Sequence, residues 1–300
     1  MLSHSRTGQP RLNYLNQNNL LLIPNEVTTM FKILIEEMKL KNFSPNTINI
    51  YLYYNQEFLH FCNKSPREVS HLDIREYLLH CIQKQYSSST INLAHNALAF
   101  YYGRILRKRV GDIPYQKREQ RIRVFASPEE IENMINALDN TKHKLIISLL
   151  YASGVRVSEL VSLKIEDIDL QKRLLKVRQG KGNKDRHTIL SKVVVELIRS
   201  YLSTRPYESN YLFASSDGHI TPRTVEEVLK QACQKARITN PLTPHSLRHS
   251  FATHHMEQGT KTKYIQQMLG HKDIRTTRIY EHISTKHLEK IRSPQDSNSF

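Results

Sequence analysis

Apolar positions recur at helical spacing along most of this chain, and alternate at strand spacing in one hairpin-like stretch. In VTTMFKILIEEMKLKNF the spacing places Met30, Ile33, Leu34 and Met38 on one face. SPNTINIYLYYNQEFLHFC restarts a helix, with Ser44 as N-cap and Pro45 at the first helical position, where proline has no hydrogen bond to lose. LDIREYLLHCIQK and SSTINLAHNALAFYYGRIL supply two more helices, so the first hundred residues predict a small helical bundle without a strand signal.

The second half mixes the two periods. ASPEEIENMINAL opens it, with Ser127 as cap and Glu129 and Glu130 favouring the helix N-terminus. KHKLIISLLYASG is an apolar helix stopped by Gly154. RLLKVRQGKGNKDRHTIL alternates, turns at GKGN and alternates again, which predicts a β-hairpin. Helices follow over SKVVVELIRSYL, TPRTVEEVLKQACQKARI, TPHSLRHSFATHHMEQG and KTKYIQQMLG, then over a segment containing Tyr280 and a final STKHLEKIR. The expected fold class is mainly α with a small β-sheet in the C-terminal domain.

Charge changes this picture from a generic helical protein to one with a polyanionic partner. Against 28 acidic residues stand 44 Lys and Arg, a net charge of +16. A field of that size favours association with nucleic acid or an anionic membrane surface and says nothing about fold. No run approaches the ~18 apolar residues of a membrane span. The polar leader, with only Leu20 to Ile23 apolar, does not read as a signal peptide. The three cysteines, Cys62, Cys81 and Cys233, are too dispersed for a disulfide framework or a zinc site. Together these predict a cytoplasmic protein. The bases concentrate between Gly103 and Phe125, in Arg104, Arg107, Lys108, Arg109, Lys117, Arg118, Arg121 and Arg123, broken by Gly111 and Pro114. A solvated surface would carry such a run, as would a linker that closes around a polyanion.

Four short segments hold the chemistry. Arg156 follows the helix-closing Gly154 and lies among Val155, Val157 and Leu160, which belong to a core. A guanidinium there needs an anion, supplied either by Glu159 or Asp167 or by a ligand. Lys181 occupies the hairpin turn between Gly180 and Gly182, with Lys184 three residues on; a plain hairpin tip would look the same. His245 and Arg248 share a helix face, and Thr243 and Pro244 place them near a helix start, where free N–H groups favour an anion. In LGHKDIRTTRIYEHI, His271 follows Gly270, and Tyr280 comes nine residues later in company with Arg275, Arg278 and His282. Tyr280 is one of 15 tyrosines and by itself means little. Its cationic company suits a phenol that attacks a phosphodiester. Such a reaction needs cations for the developing charge, a task for Arg156 and Arg248, and an acid for the leaving oxygen, a task for Lys181. His249, His254 and His255 cluster without an HExxH pattern or a cysteine partner, and no phosphate-binding Gly-Lys-Ser/Thr loop is present, so neither a metal nor another cofactor is expected.

With ASGVRVSEL, GKGNKDR, TPHSLRHSFATHH and LGHKDIRTTRIYEHI in that order, the chain resembles the tyrosine recombinases (the integrase family), most closely the Xer-type site-specific recombinases. The resemblance covers nearly the whole chain. It implies that Arg156, Lys181, His245, Arg248, His271 and Tyr280 are catalytic, with Tyr280 as the nucleophile that becomes joined to a DNA 3′-phosphate and Lys181 as the acid to the 5′-oxygen. It implies a helical, SAM-like core-binding domain over 24–108 after a flexible leader at 1–23. A basic linker at 109–125 and a catalytic domain at 126–300 complete it. DNA contacts are expected from Arg104, Arg107, Lys108, Lys117, Arg118, Arg121, Arg123 and Lys184. The partner implied is double-stranded DNA carrying a specific recombination site. Ile283, Leu288 and Ile291 form a narrow stripe, and the resemblance makes 284–292 a helix exchanged in a homotetramer on DNA, the free protein being monomeric. A type IB topoisomerase, or an architectural DNA-binding protein without catalysis, are the alternative readings.

Overall fold

A computed structural model describes residues 30–117, 124–180, 184–205, 208–216, 218–271 and 273–278. The chain divides into two compact units, Met1–Arg121 and Ile122–Phe300. Lys181, Arg118, Arg121, Arg123, Tyr280, the leader at 1–23 and the helix expected at 284–292 lie outside the described residues, as does the side chain of Lys184.

The first unit is helical. Helices run over Lys32–Leu40, Pro45–Cys62, His71–Gln83 and Ser88–Leu98. Ser44 caps its helix as expected, Ser87 caps the fourth helix in the same way, and Ser70 forms a reciprocal capping box with Asp73. The first helix turns a different face inward than its apolar spacing predicts. Phe31, Leu34 and Met38 are buried, while Met30 and Ile33 are 53% and 58% exposed. The bulky Phe31 decides the matter, because its ring meets Tyr101 edge-on at 5.1 Å. The expected last helix of the bundle widens into a π-helix over Ala99–Ile105, with Phe100, Tyr101 and Tyr102 all buried in succession. Beyond it the chain stays on this unit. Val110 and Ile113 pack on the core. Asn92 donates to Gln116 O at 2.9 Å and accepts from Gln116 N at 2.8 Å. The stretch 109–117, expected as linker, is thus fastened to the helices.

The second unit surrounds the apolar helix Thr141–Ser153, whose Leu145, Ile146, Ile147, Leu149 and Leu150 are fully buried. Around it lie helices Pro128–Asn136, Lys192–Thr204, Pro222–Lys235 and Pro244–Glu257. The predicted hairpin forms as β2 (Leu174–Gly180) and β3 (Lys184–Ile189), and a short β1 (Ile168–Asp169) extends it to an antiparallel sheet of order β1-β2-β3. The pairing runs Leu174 with Ile189 and Val177 with Arg186. Alternation buries Leu175 and Val177 on one strand and Thr188 on the other. Among the described residues no helix is long and apolar enough to cross a membrane.

Candidate functional site

Two helix ends bring the site together. Gly154 closes helix Thr141–Ser153 with φ of 61°. A Cβ there would stand 2.5 Å from the Phe251 ring, so both conformation and space require glycine. Gly270 closes helix Thr262–Leu269 in the same way, with φ of 65°. Their neighbouring carbonyls face one side chain. Arg248, 1% exposed, donates from Nη1 to Gly154 O and from Nη2 to Leu269 O. Carbonyls at a helix C-terminus carry partial negative charge, which is what makes a guanidinium tolerable at that depth. In helix Pro244–Glu257, Pro244 is the first residue, so Arg248 lies in the second turn rather than at the helix start. His245 is exposed at the second position, with its ring 4.2 Å from that of His249.

Arg156 caps the short helix Val157–Val161 and meets the acid three residues on. Its Nη1 donates to Glu159 Oε1 at 2.7 Å, and its backbone N–H donates to Glu159 Oε2 at 2.7 Å. Of the two partners expected for it, Asp167 is engaged instead by Arg178. The ion pair does not neutralise the site, because a second arginine shares the same carboxylate. Arg186 places Nη1 on Glu159 Oε1 at 2.8 Å and Nη2 on Oε2 at 2.6 Å. Burial alone would raise the Glu159 carboxyl, but the hydrogen bonds and charge of Arg186 and the donors of Arg156 hold it at about 2. Two guanidiniums against one carboxylate leave a unit of positive charge.

His271 borders that charge. Its Nδ1 lies 2.9 Å from Thr277 Oγ1, and its backbone carbonyl accepts from Gln266 Nε2 at 3.1 Å. Burial, then the charges of Arg248, Arg156, Arg186 and His245, depress its pKa from 6.5 to about 4. His271 is therefore neutral near pH 7, and the groups that repel its proton are the other members of the site. Arg156, His245, Arg248 and His271 come together from three separate segments of the chain. Arg186 and Glu159 join them, and the sequence reading did not place Arg186 here. The signal was available: Arg186 shares strand parity with the buried Thr188, so it points inward where a cation requires a partner.

The remaining clustered histidines are structural. His254 Nδ1 lies 2.9 Å from Tyr151 Oη, and His255 Nδ1 lies 3.2 Å from Thr260 Oγ1. No group of metal-binding side chains occurs among the described residues. Of the bases expected to meet DNA, Arg104, Arg107 and Lys117 are exposed. Lys108 differs, for its ammonium donates to the carbonyls of Arg67 and Val69, the latter at 2.9 Å. Its charge is spent largely on fixing the chain after the π-helix.

Comparison with known proteins bears on both units. Residues 125–287 match the phage integrase family, and residues 30–112 match the phage integrase N-terminal SAM-like domain. The chain is 37% identical to the tyrosine recombinase XerA of Pyrococcus furiosus, covering 84% of this chain and 89% of that one. It is 35% identical to XerA of Thermococcus kodakarensis, over 89% of this chain and 94% of that one. A crystal structure of XerA recombinase matches at 35% identity and a TM-score of 0.54, over 90% and 99% of the two chains. The XerH site-specific recombinase bound to a palindromic difH substrate shares the fold, with a TM-score of 0.69 at 22% identity over 88% and 83%.

Proposed function

We infer the reaction from one premise: this chain belongs to the phage integrase family of tyrosine recombinases, and it is a DNA strand transferase. Double-stranded DNA with a specific recombination site is its substrate. Tyr280 attacks the scissile phosphodiester, its phenol oxygen bonds to phosphorus as its proton passes to water, and the 5′-oxygen leaves with a proton supplied by Lys181. The 3′-phosphotyrosine retains the energy of the broken bond, so a second 5′-hydroxyl can reverse the step on a new partner without ATP.

The observation that carries this reading is the surplus of buried positive charge. Arg156 and Arg186 share a single carboxylate, Glu159, Arg248 is held by two backbone carbonyls, and after burial the three charges repel the proton of His271. Directed charge in a dry site stabilises a pentacoordinate phosphorane far more than the same charge in water. Among the described residues the other guanidine nitrogens of Arg156 make no hydrogen bond, and its side chain is 27% exposed, as a clamp on a phosphate oxygen requires. In the neutral tautomer whose Nδ1 accepts from Thr277, His271 carries its proton on Nε2, free to donate to a phosphate oxygen. Tyr280 follows helix Arg275–Arg278 by two residues, nine after His271.

The exposed Arg104, Arg107 and Lys117, with Arg118, Arg121, Arg123 and Lys184, are proposed to meet the phosphate backbone. Segment 284–292 is proposed to pass between neighbours in a tetramer on paired sites, the free protein being a monomer in the cytoplasm. The test is a nicked suicide duplex, which traps the covalent adduct. The native chain yields a protein–DNA adduct, and Tyr280→Phe binds the duplex equally well and yields none. An adduct at the native level from Tyr280→Phe would assign the nucleophile elsewhere. Relaxation of supercoiled DNA that lacks a paired site, without any strand exchange, would favour the topoisomerase reading.

A further inference from the structure

Arg186 has a role that its distance from the expected motifs hides. The Glu159 carboxylate accepts four hydrogen bonds, two from Arg186 and two from Arg156, of which only one comes from the Arg156 guanidinium. The Arg186 fork holds both carboxylate oxygens, while Arg156 holds Oε1 by Nη1 alone. A carboxylate and a guanidinium left to themselves pair two-by-two. In that arrangement Glu159 would turn fully onto Arg156 and cancel its charge. We propose that Arg186 is a positioning residue for strand cleavage: it holds Glu159 in a shared geometry that leaves the Arg156 guanidinium only partly paired and open toward the scissile phosphate.

Three further features fit this role. The Arg186 side chain is only 8% exposed, so it is not itself a surface contact for DNA. Its Nε donates to Met268 O at 2.8 Å, which ties β3 to the helix that precedes His271. A Cβ on Gly270 would stand 2.7 Å from Arg186 Cδ, so the glycine admits the arginine stem as well as closing the helix. One side chain thereby connects the hairpin, the Arg156 loop and the His271 turn. The charge count gives the consequence. With Arg186 the cluster of Arg156, Glu159 and Arg186 carries one net positive charge; without it, Arg156 and Glu159 sum to zero.

This inference rests on the strand-cleavage reading, and the same assay separates the two. In the full-length chain, adduct formation on the suicide duplex is timed in single turnover, and duplex affinity is measured by gel shift. Arg186→Met should slow adduct formation on the order of a hundredfold, the scale of losing a preorganised transition-state charge, with affinity changed less than about threefold. The decisive variant adds Glu159→Gln to Arg186→Met. An amide cannot neutralise Arg156, so the double variant should react at least about tenfold faster than Arg186→Met alone, a coupling that independent structural damage would not produce. If Arg186→Met loses its cooperative thermal transition, Arg186→Lys takes its place, and Glu159→Gln should likewise accelerate it. Native-level rates in the single variant, or a double variant no faster than the single, would overturn the proposal. A native chain that forms no adduct would instead overturn the cleavage reading, and this proposal with it.

Discussion

The two units treat their cations in opposite ways. The helical unit builds its core from rings packed edge-to-face, such as Phe58 against Tyr77 and Tyr102, and leaves Arg104 and Arg107 in solvent. Even its partly sheltered Lys108 is satisfied by backbone carbonyls. The catalytic unit buries Arg248 and nearly buries Arg186, and balances them with one carboxylate and two helix ends. Exposed cations act on a polyanion through counterion release, which is additive and screened by salt. Buried ones act on a single phosphate through direction and low dielectric. On the proposed function, one chain separates affinity from chemistry by depth.

The largest expected effect lies on the buried side. Arg248→Ala should lower single-turnover adduct formation by at least about a hundredfold. It also strips the donor from the carbonyls of Gly154 and Leu269, so the thermal midpoint should fall. If duplex affinity fell by the same factor as the cleavage rate, the division between the units would be lost. On the exposed side, Arg104→Ala and Arg107→Ala should weaken binding alike on all sequences. Each should reduce the salt slope by about 1, with the saturated cleavage rate unchanged. Lys108→Met should leave that slope in place, because its ammonium is already held by the chain; a slope change equal to that of Arg104→Ala would show Lys108 on DNA.

The smallest expected effect is the acid sensitivity that His271 gives the catalytic unit. His271 titrates near 4 folded against 6.5 unfolded, so between these values the unfolded chain binds the extra proton. Its contribution is complete above pH 6.5 and is lost as pH falls through about 4. Glu159, held at about 2 against 4.5, adds a loss of the same sign at lower pH. Thermal melts from pH 7 to 4 should show falling stability, and His271→Gln should flatten the upper part of that decline. An unchanged profile in that variant would remove His271 as the source.

Local rules carried much of the fold. Ser44, Ser70, Ser87, Ser127, Ser191 and Thr221 cap their helices through short side-chain hydrogen bonds that adjacent residues determine. The hairpin of β2 and β3 follows from alternation about a glycine turn. The two helix-ending glycines follow from the left-handed conformation they adopt. The motif order pointed to Arg156, His245 and His271, which sit where a helix begins or ends, and to Arg248, which lies one turn inside its helix. Tertiary structure decided what depends on distant partners. Which face of helix Lys32–Leu40 turns inward depended on Tyr101, some seventy residues away. That 109–117 stays on the helical unit depended on Asn92. That Glu159 is shared rather than paired with Arg156 alone depended on Arg186, which no spacing rule connects to it. Periodicity reports which side chains want burial, whereas the charge state of a buried cluster is set by how many ions the folded chain brings to one carboxylate.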